Sequence, residues 1–226
     1  MLFFDPLYLI MIAPALILSM WASAKTKGAF RKYGRVSVRL TGAQAARVML
    51  DQAGLVNVAI NRGRGFLSDH YNPATRSLSL SPDVYDKNSV AAIGVACHEA
   101  GHAVQHASAY PFLQLRSTLV PTANIGSTLG YLVIIGGFIL QMQGLLWVGI
   151  LLFSATVLFQ LVTLPVEFDA SNRAKAWLSE NRVVSPQQRQ GVDAVLNAAA
   201  WTYVAAAASS LMTLLYFVLR AGGSND

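Results

Sequence analysis

His98, Glu99 and His102 are the residues of this chain whose types and spacing are best suited to joint chemistry. Two histidines four apart on a helix lie only ~40° apart in projection, so both imidazoles can reach one divalent ion. Glu99 beside them can hold a water on that ion. The run His98-Glu99-Ala100-Gly101-His102 is therefore a match to the H-E-x-x-H pattern of zinc-dependent hydrolysis. Zinc lowers the pKa of a water it binds to ~7, and a neighbouring carboxylate can take the proton as the oxygen attacks a peptide carbonyl. The motif implies one Zn²⁺ per chain, His98 and His102 as ligands, and Glu99 as the catalytic base.

A catalytic zinc usually has three protein ligands and one open position. His106 lies ~80° round the helix from His98 and ~12 Å along it, too far for the same ion, and is expected at the surface or in a supporting role. Ser108 stands six residues after His102, where another zinc-protease pattern would need histidine. Asp69, His70 and Tyr71 form a polar cluster that reads either as substrate-facing or supporting groups or as a plain polar turn. His70 is the candidate substrate contact among them. Gly101 costs about 1 kcal/mol of helix propensity against alanine. With Ala100 and Ala103 it reads either as close packing beside the metal or simply as small residues on a buried helix.

The motif needs a helix, and Ser89 can cap one that runs from Val90 to about His106, with Pro111 beyond its end. Upstream, Thr41-Gly42-Ala43-Gln44 opens another helix, which Gly54 closes. Val56 to Ile60 reads as a short strand. The glycine-rich turn after it is too irregular to cradle phosphate. Asn72-Pro73 marks a turn, and Arg76 to Ser81 alternates as a strand with one apolar face. A peptide can add to such a strand whatever its side chains. That makes Ser77, Leu78, Ser79, Leu80 and Ser81 candidate substrate contacts, the alternative being an ordinary core strand. Glu167 to Glu180 reads as an alanine-rich helix, and Ser185-Pro186-Gln187-Gln188 as the start of one more.

These elements sit in a chain of 226 residues that is 54% hydrophobic and only 12% charged. Three uncharged stretches, 6–24, 117–166 and 194–219, exceed or approach the ~20 residues a bilayer-spanning helix needs. The middle one is too long for one helix, and Gln141-Met142-Gln143-Gly144 breaks it into a hairpin. Four transmembrane helices result, leaving residues 25–116 and 167–193 as polar segments on one side of the bilayer. Ala22-Ser23-Ala24 resembles a signal-peptide cleavage site, but Met1 to Asp5 holds no basic residue. Instead Lys25, Lys27, Arg31, Lys32 and Arg35 crowd the far side, which places the polar segments and the active site in the cytoplasm.

The net charge of +6 invites a nucleic-acid reading. Every Lys and Arg except Arg220 lies in the two polar segments, however, so topology accounts for the charge and no nucleic-acid partner is expected. The basic run from Lys25 to Arg39 can attract anionic headgroups. The lone cysteine, Cys97, excludes an intrachain disulfide and suits a reducing compartment. The expected fold is a mainly α membrane protein, four transmembrane helices with a small α+β zincin-like cytoplasmic metallopeptidase domain.

The His98 to Ala103 run, Asp69-His70-Tyr71, the stretch Val166 to Ser171 and the stretch Ala198 to Val204 resemble the YugP-like neutral zinc metallopeptidases of bacteria. The likeness spans nearly the whole chain. That group is more distantly similar to the HtpX and CAAX-prenyl endopeptidases, in which a glutamate on a later helix completes the zinc site. The resemblance thus nominates Glu167 as third ligand. It follows directly on the third span, at the end of the stretch 117–166, which puts it on the same side as the histidines. Those distant relatives carry an aspartate four residues after the glutamate to support a metal-binding histidine. Here that position is Ser171, so Ser171 and Asp169 are both candidates for the supporting role. The resemblance implies a multi-pass protein of the bacterial inner membrane that cleaves protein or peptide substrates, with a role in membrane-protein quality control.

Two other classes compete with a membrane-bound zinc endopeptidase. A site-2-type intramembrane metalloprotease would also place H-E-x-x-H in a hydrophobic helix, but no Asp-Gly ligand motif follows in a later span. A non-enzymatic zinc-binding membrane protein would keep the metal without turnover. Membrane-anchored ATP-dependent proteases share the wording of the motif, yet no phosphate-binding loop for an ATPase is present.

Overall fold

The computed structural model describes residues 5–223. It is mainly helical, with elements in the order α1 (Pro6–Tyr33), α2 (Gly42–Gln52), β1 (Ala59–Arg62), β2 (His70–Asn72), β3 (Ser77–Leu80), α3 (Pro82–Tyr85), α4 (Val90–Ala107), α5 (Pro111–Ile125), α6 (Tyr131–Ile139), α7 (Gln143–Glu180) and α8 (Pro186–Gly222). A π-helical turn, Gly126–Gly130, joins α5 to α6. Four helical stretches are long and apolar enough to cross a membrane: Pro6–Tyr33, Pro111–Ile139, Gln143–Glu180 and Pro186–Gly222.

Local chemistry explains where these helices start. Thr41 accepts from the Gln44 N–H while the Gln44 side chain accepts from the Thr41 N–H, a reciprocal cap that satisfies two donors at the head of α2. Ser185 and Gln188 repeat it at the head of α8. Ser89 Oγ accepts from the Ala92 N–H and fixes the start of α4. Asn72 Oδ1 accepts from the N–H groups of Ala74 and Thr75, which turns the chain from β2 into β3.

Three sequence expectations are corrected. The first strand forms at Ala59–Arg62 rather than Val56 to Ile60, because Leu55 and Val58 instead spend their carbonyls on the Arg47 guanidinium. The sheet has the order β1-β3-β2, with β1 parallel and β2 antiparallel to β3. β3 is thus the central strand, its N–H and C=O groups engaged on both sides, and it offers no edge to a peptide along Ser77 to Leu80. Finally, α7 does not restart at Glu167 but runs unbroken through Pro165. An internal proline removes one helical hydrogen bond, a loss that the packing of buried Val162, Val166 and Ala170 around it can outweigh.

The chain divides into two compact units. One comprises Ser23–Leu113 and Val166–Trp201. Its core is built from Ala46, Leu50, Leu78, Leu80, Ile93 and Leu178 among others, all essentially without exposure. The other comprises Gln114–Pro165 with the described parts of Met1–Ala22 and Thr202–Asp226. Its core gathers Ile134, Leu146, Ile150, Phe153, Tyr216 and Phe217.

Candidate metal centre

The centre lies within the first of these units, where α4 carries His98, Glu99 and His102 and the last part of α7 carries Glu167 and Ser171. Gly101 explains how closely the two helices approach. A Cβ added there would lie 2.8 Å from the Ala170 carbonyl oxygen and 3.3 Å from its Cα, so any side chain would push α7 away. Ala170 is three residues beyond Glu167, and the contact brings the Glu167 carboxylate to the histidines.

Glu167 Oε2 is 3.2 Å from His98 Nε2 and 3.5 Å from His102 Nε2. The ligating atoms of these three residues all lie within 4.8 Å of one another. Glu167 is only 2% exposed, and Glu99 and His102 are each 8% exposed. A carboxylate so deeply buried needs a compensating charge.

The far side of each imidazole is also held. His98 Nδ1 is 3.1 Å from Ser171 Oγ, and His102 Nδ1 is 2.9 Å from Gln105 Oε1. Gln105, itself fully buried, donates from Nε2 to the Val166 carbonyl and to Asp169 Oδ2, each at 2.8 Å. Because a carbonyl can only accept, the amide nitrogen must face Val166 and the amide oxygen must face His102. His102 therefore carries its proton on Nδ1 and turns the Nε2 lone pair toward Glu167. Asp169 is anchored in turn by the Arg173 guanidinium at 2.6 Å. Two imidazole nitrogens and a carboxylate oxygen aimed at one point form the donor set of a zinc site, and the group fits that metal. Burial by itself would push the His102 pKa down, but Glu167 and Glu99 outweigh it and raise the pKa, the same negative field that would favour a cation there.

Asp69 sits at the foot of β2, where Oδ1 accepts from the Ser81 N–H at 2.7 Å and both carboxylate oxygens lie 3.0 Å from Ser81 Oγ. It ties the start of β2 to the end of β3. Burial raises the Asp69 pKa, and the Glu99 charge adds to the rise against the lowering effect of Ser81. Among the described residues no side chain hydrogen-bonds to the Glu99 carboxylate, which leaves it open to a water.

The structure thus gathers His98, Glu99, His102, Glu167, Ser171 and, through Gln105, Asp169. His70 is not among them: it is exposed, with Nδ1 2.9 Å from the Ser68 carbonyl oxygen. Ser77, Leu78, Ser79 and Leu80 lie in the central strand, with Leu78 and Leu80 in the core, and Ser81 is bound by Asp69. Tyr71 OH lies 2.8 Å from His106 Nδ1, away from the ligating atoms. Sequence reasoning missed Gln105. Its signal was its place three residues after His102, which puts both on one helix face.

A family model described as "Putative neutral zinc metallopeptidase" matches residues 8–222. The chain is 46% identical over 215 residues to "Putative membrane protease YugP" of Bacillus subtilis (strain 168), an alignment covering 94% of this chain and 96% of that one. No solved structure matches.

Proposed function

The chain belongs to this family of zinc metallopeptidases, and we propose that it is a membrane-bound endopeptidase that hydrolyses peptide bonds at the His98–His102–Glu167 centre. The carrying observation is the convergence of two imidazole nitrogens and one carboxylate oxygen beside Glu99. His98, His102 and Glu167 would hold one zinc per chain, which supplies a Lewis acid and a water of lowered pKa. Glu99 takes the proton from the attacking water and returns it to the leaving amine. Ser171 and the Gln105–Asp169 pair keep the two rings in the tautomer and orientation that ligation requires. The substrate backbone is held along β2, from His70 to Asn72, the strand of the sheet that packs on α4 and has an outer edge.

The same reading makes the catalytic part, residues 25–116 and 167–193, a zincin-like α+β domain on the cytoplasmic face of the bacterial inner membrane, joined to four transmembrane helices. The four apolar helices and the clustering of Lys and Arg in those segments support it. Such a placement suits substrates at or in the bilayer and a role in membrane-protein quality control.

Glu99→Gln is expected to keep stoichiometric zinc and lose peptidase activity by at least ~10²-fold, because glutamine matches the shape but cannot accept the proton. Near-normal cleavage of an unfolded protein by purified, zinc-replete Glu99→Gln would overturn the mechanism. For topology, single cysteines at Ser37 and Ser179, placed after Cys97 is replaced, should resist a membrane-impermeant thiol reagent on intact cells. Labelling of either would put the catalytic part outside.

A further inference from the structure

Beside the metal centre lies a cavity of about 430 Å³, lined by Leu55, Val58, Tyr71, Arg76, Ala103 and His106 among others. Its place on α4 is telling. Glu99, Ala103 and His106 stand at i, i+4 and i+7, so the cavity occupies the Glu99 side of the helix. His106 is one turn past His102, ~6 Å along the axis, while an extended peptide advances ~3.3 Å per residue. A peptide whose scissile bond lies level with His102 would bring into this cavity a group about one or two residues away.

The lining mixes apolar and polar groups, and its polar side chains are Asn57, Tyr71, Arg76 and His106. Leu55, Val58 and Ala103 give it apolar wall, Tyr71 and His106 share their hydrogen bond within it, and no carboxylate lines it. Arg76 supplies the one full positive charge. Among the described residues its guanidinium forms no ion pair and no hydrogen bond. It stands close enough to Tyr71 to pull that phenol down against the rise that burial causes. Arg76 also occupies a backbone position with φ 48°, where arginine costs roughly 1 kcal/mol and glycine or asparagine would be at ease. Two features thus coincide: an unneutralised cation facing a cavity, and a residue type the backbone itself does not favour. Arg76 is exposed, so its charge is open to a ligand at the cavity.

We propose that this cavity is a substrate subsite for a carboxylate, borne on an Asp or Glu side chain or on a free peptide C-terminus about one or two residues from the scissile bond. Arg76 is its counter-charge, since a guanidinium pairs with a carboxylate through two parallel hydrogen bonds. The Tyr71–His106 pair forms its polar wall, and Leu55 and Val58 take the methylenes. The inference rests on the peptidase reading for the location of the scissile bond.

Binding tests it apart from turnover. Zinc-replete Glu99→Gln protein in detergent is titrated, by fluorescence anisotropy, with three sets of labelled peptides of one sequence. The first carries Glu at each position in turn with an amidated end, the second Gln at the same positions with an amidated end, and the third Gln with a free C-terminus. At one position a carboxylate set is expected to bind about tenfold tighter than its Gln amide counterpart, the first set if the side chain is recognised and the third if the terminus is. Adding Arg76→Asn should erase that difference without lowering the thermal midpoint, because asparagine accepts the positive φ. Carboxylate and amide peptides that bind alike overturn the subsite, as does a preference that survives Arg76→Asn. Turnover by the Glu99 protein is read separately. A carboxylate preference with no cleavage of any peptide rejects the peptidase and keeps the subsite, whereas cleavage with carboxylate-blind binding does the reverse.

Discussion

The two compact units solve the problem of holding helices together by different means. In the one with the metal centre, apolar side chains fill a core and the surface is polar. The other has an apolar exterior: Ile10, Met20, Ile139 and Leu151 are each more than 70% exposed. Where the outer surface is as apolar as the inner one, hydrophobic burial cannot choose which faces meet, and close backbone contact at small residues must do it. That is what the glycines show. A Cβ on Gly126 would lie 2.3 Å from the Leu152 carbonyl oxygen, and one on Gly130 would lie 2.8 Å from the Phe153 nitrogen. Buried polar side chains divide the same way. Ser81, Ser89, Glu99, His102, Gln105, Glu167 and Ser171 all belong to the metal-centre unit. The exception, Thr163, spends its hydroxyl on its own helix at Phe159. The first unit gathers most of its buried polar groups around one centre, whereas the second keeps to a Tyr216–Asp5–Arg220 cluster apart from that hydroxyl.

The sharpest test of that contrast removes polar groups from the centre one at a time. Glu167→Ala deletes the proposed third ligand and is expected to release zinc on dialysis against a mild chelator. Gln105→Met, which keeps bulk but frees the His102 ring, should weaken zinc by roughly 10–100-fold. Asp169→Ala should cost less than Gln105→Met, since Asp169 reaches His102 only through Gln105. Zinc titration of the three purified variants gives the order. If Glu167→Ala stays stoichiometric, or Asp169→Ala exceeds Gln105→Met, the ligand set or the relay is wrong.

Glycine substitutions break the comparison from the packing side. Gly101→Ala and Gly126→Ala both drive a methyl into a carbonyl oxygen, and each should destabilise its own unit by about 1–3 kcal/mol. Only Gly101→Ala should also weaken zinc, by moving Glu167. Gly94 is the control on the same helix as Gly101. Its added Cβ would meet Val192 at an ordinary 3.7 Å, so Gly94→Ala should stabilise by up to about 1 kcal/mol through helix propensity. Thermal unfolding alongside zinc titration distinguishes these outcomes. A Gly101→Ala protein as stable and as zinc-tight as the parent would mean the helices do not meet there.

The residues that could be read from the chain are those whose role follows from a local repeat. His98, Glu99 and His102 declare themselves because i and i+4 share a helix face, and the caps at Thr41, Ser89 and Ser185 because their partners lie three residues on. Glu167 was nominated by resemblance to a family, its distance of 65 or more residues from the motif offering no periodicity to read. Gln105 shares a helix face with His102, three residues before it, but a glutamine there is unremarkable until α7 brings Val166 and Asp169 to it. The free edge expected along Ser77 to Ser81 is absent for a related reason. Alternation along Arg76 to Ser81 reports which face is buried, but strand order depends on β1 and β2, and no pattern within β3 encodes its neighbours. The helix expected to start at Glu167 is continuous with the span before it, because the long helix overrides the local preference of Pro165 against helix interiors.

The smallest expected effect concerns Asp69, which borders the centre without belonging to the ligand set. Its folded pKa is raised above the ordinary 3.8, by burial first and by Glu99 as well. A group raised in the folded state contributes stability that is fully present below its unfolded value and is lost as pH rises through the folded value. The native protein should therefore lose ground to Asp69→Asn as pH climbs from the ordinary Asp value toward neutrality, since asparagine keeps an oxygen for the Ser81 N–H but carries no charge. The measurement is the difference in thermal midpoint between the two proteins, both metal-free so that zinc release does not intrude. Because Glu99 is one source of the rise, the same difference should shrink when both proteins carry Glu99→Gln. A midpoint difference that does not vary with pH would show that the Asp69 carboxylate is solvated, and one that Glu99→Gln leaves untouched would separate Asp69 from Glu99.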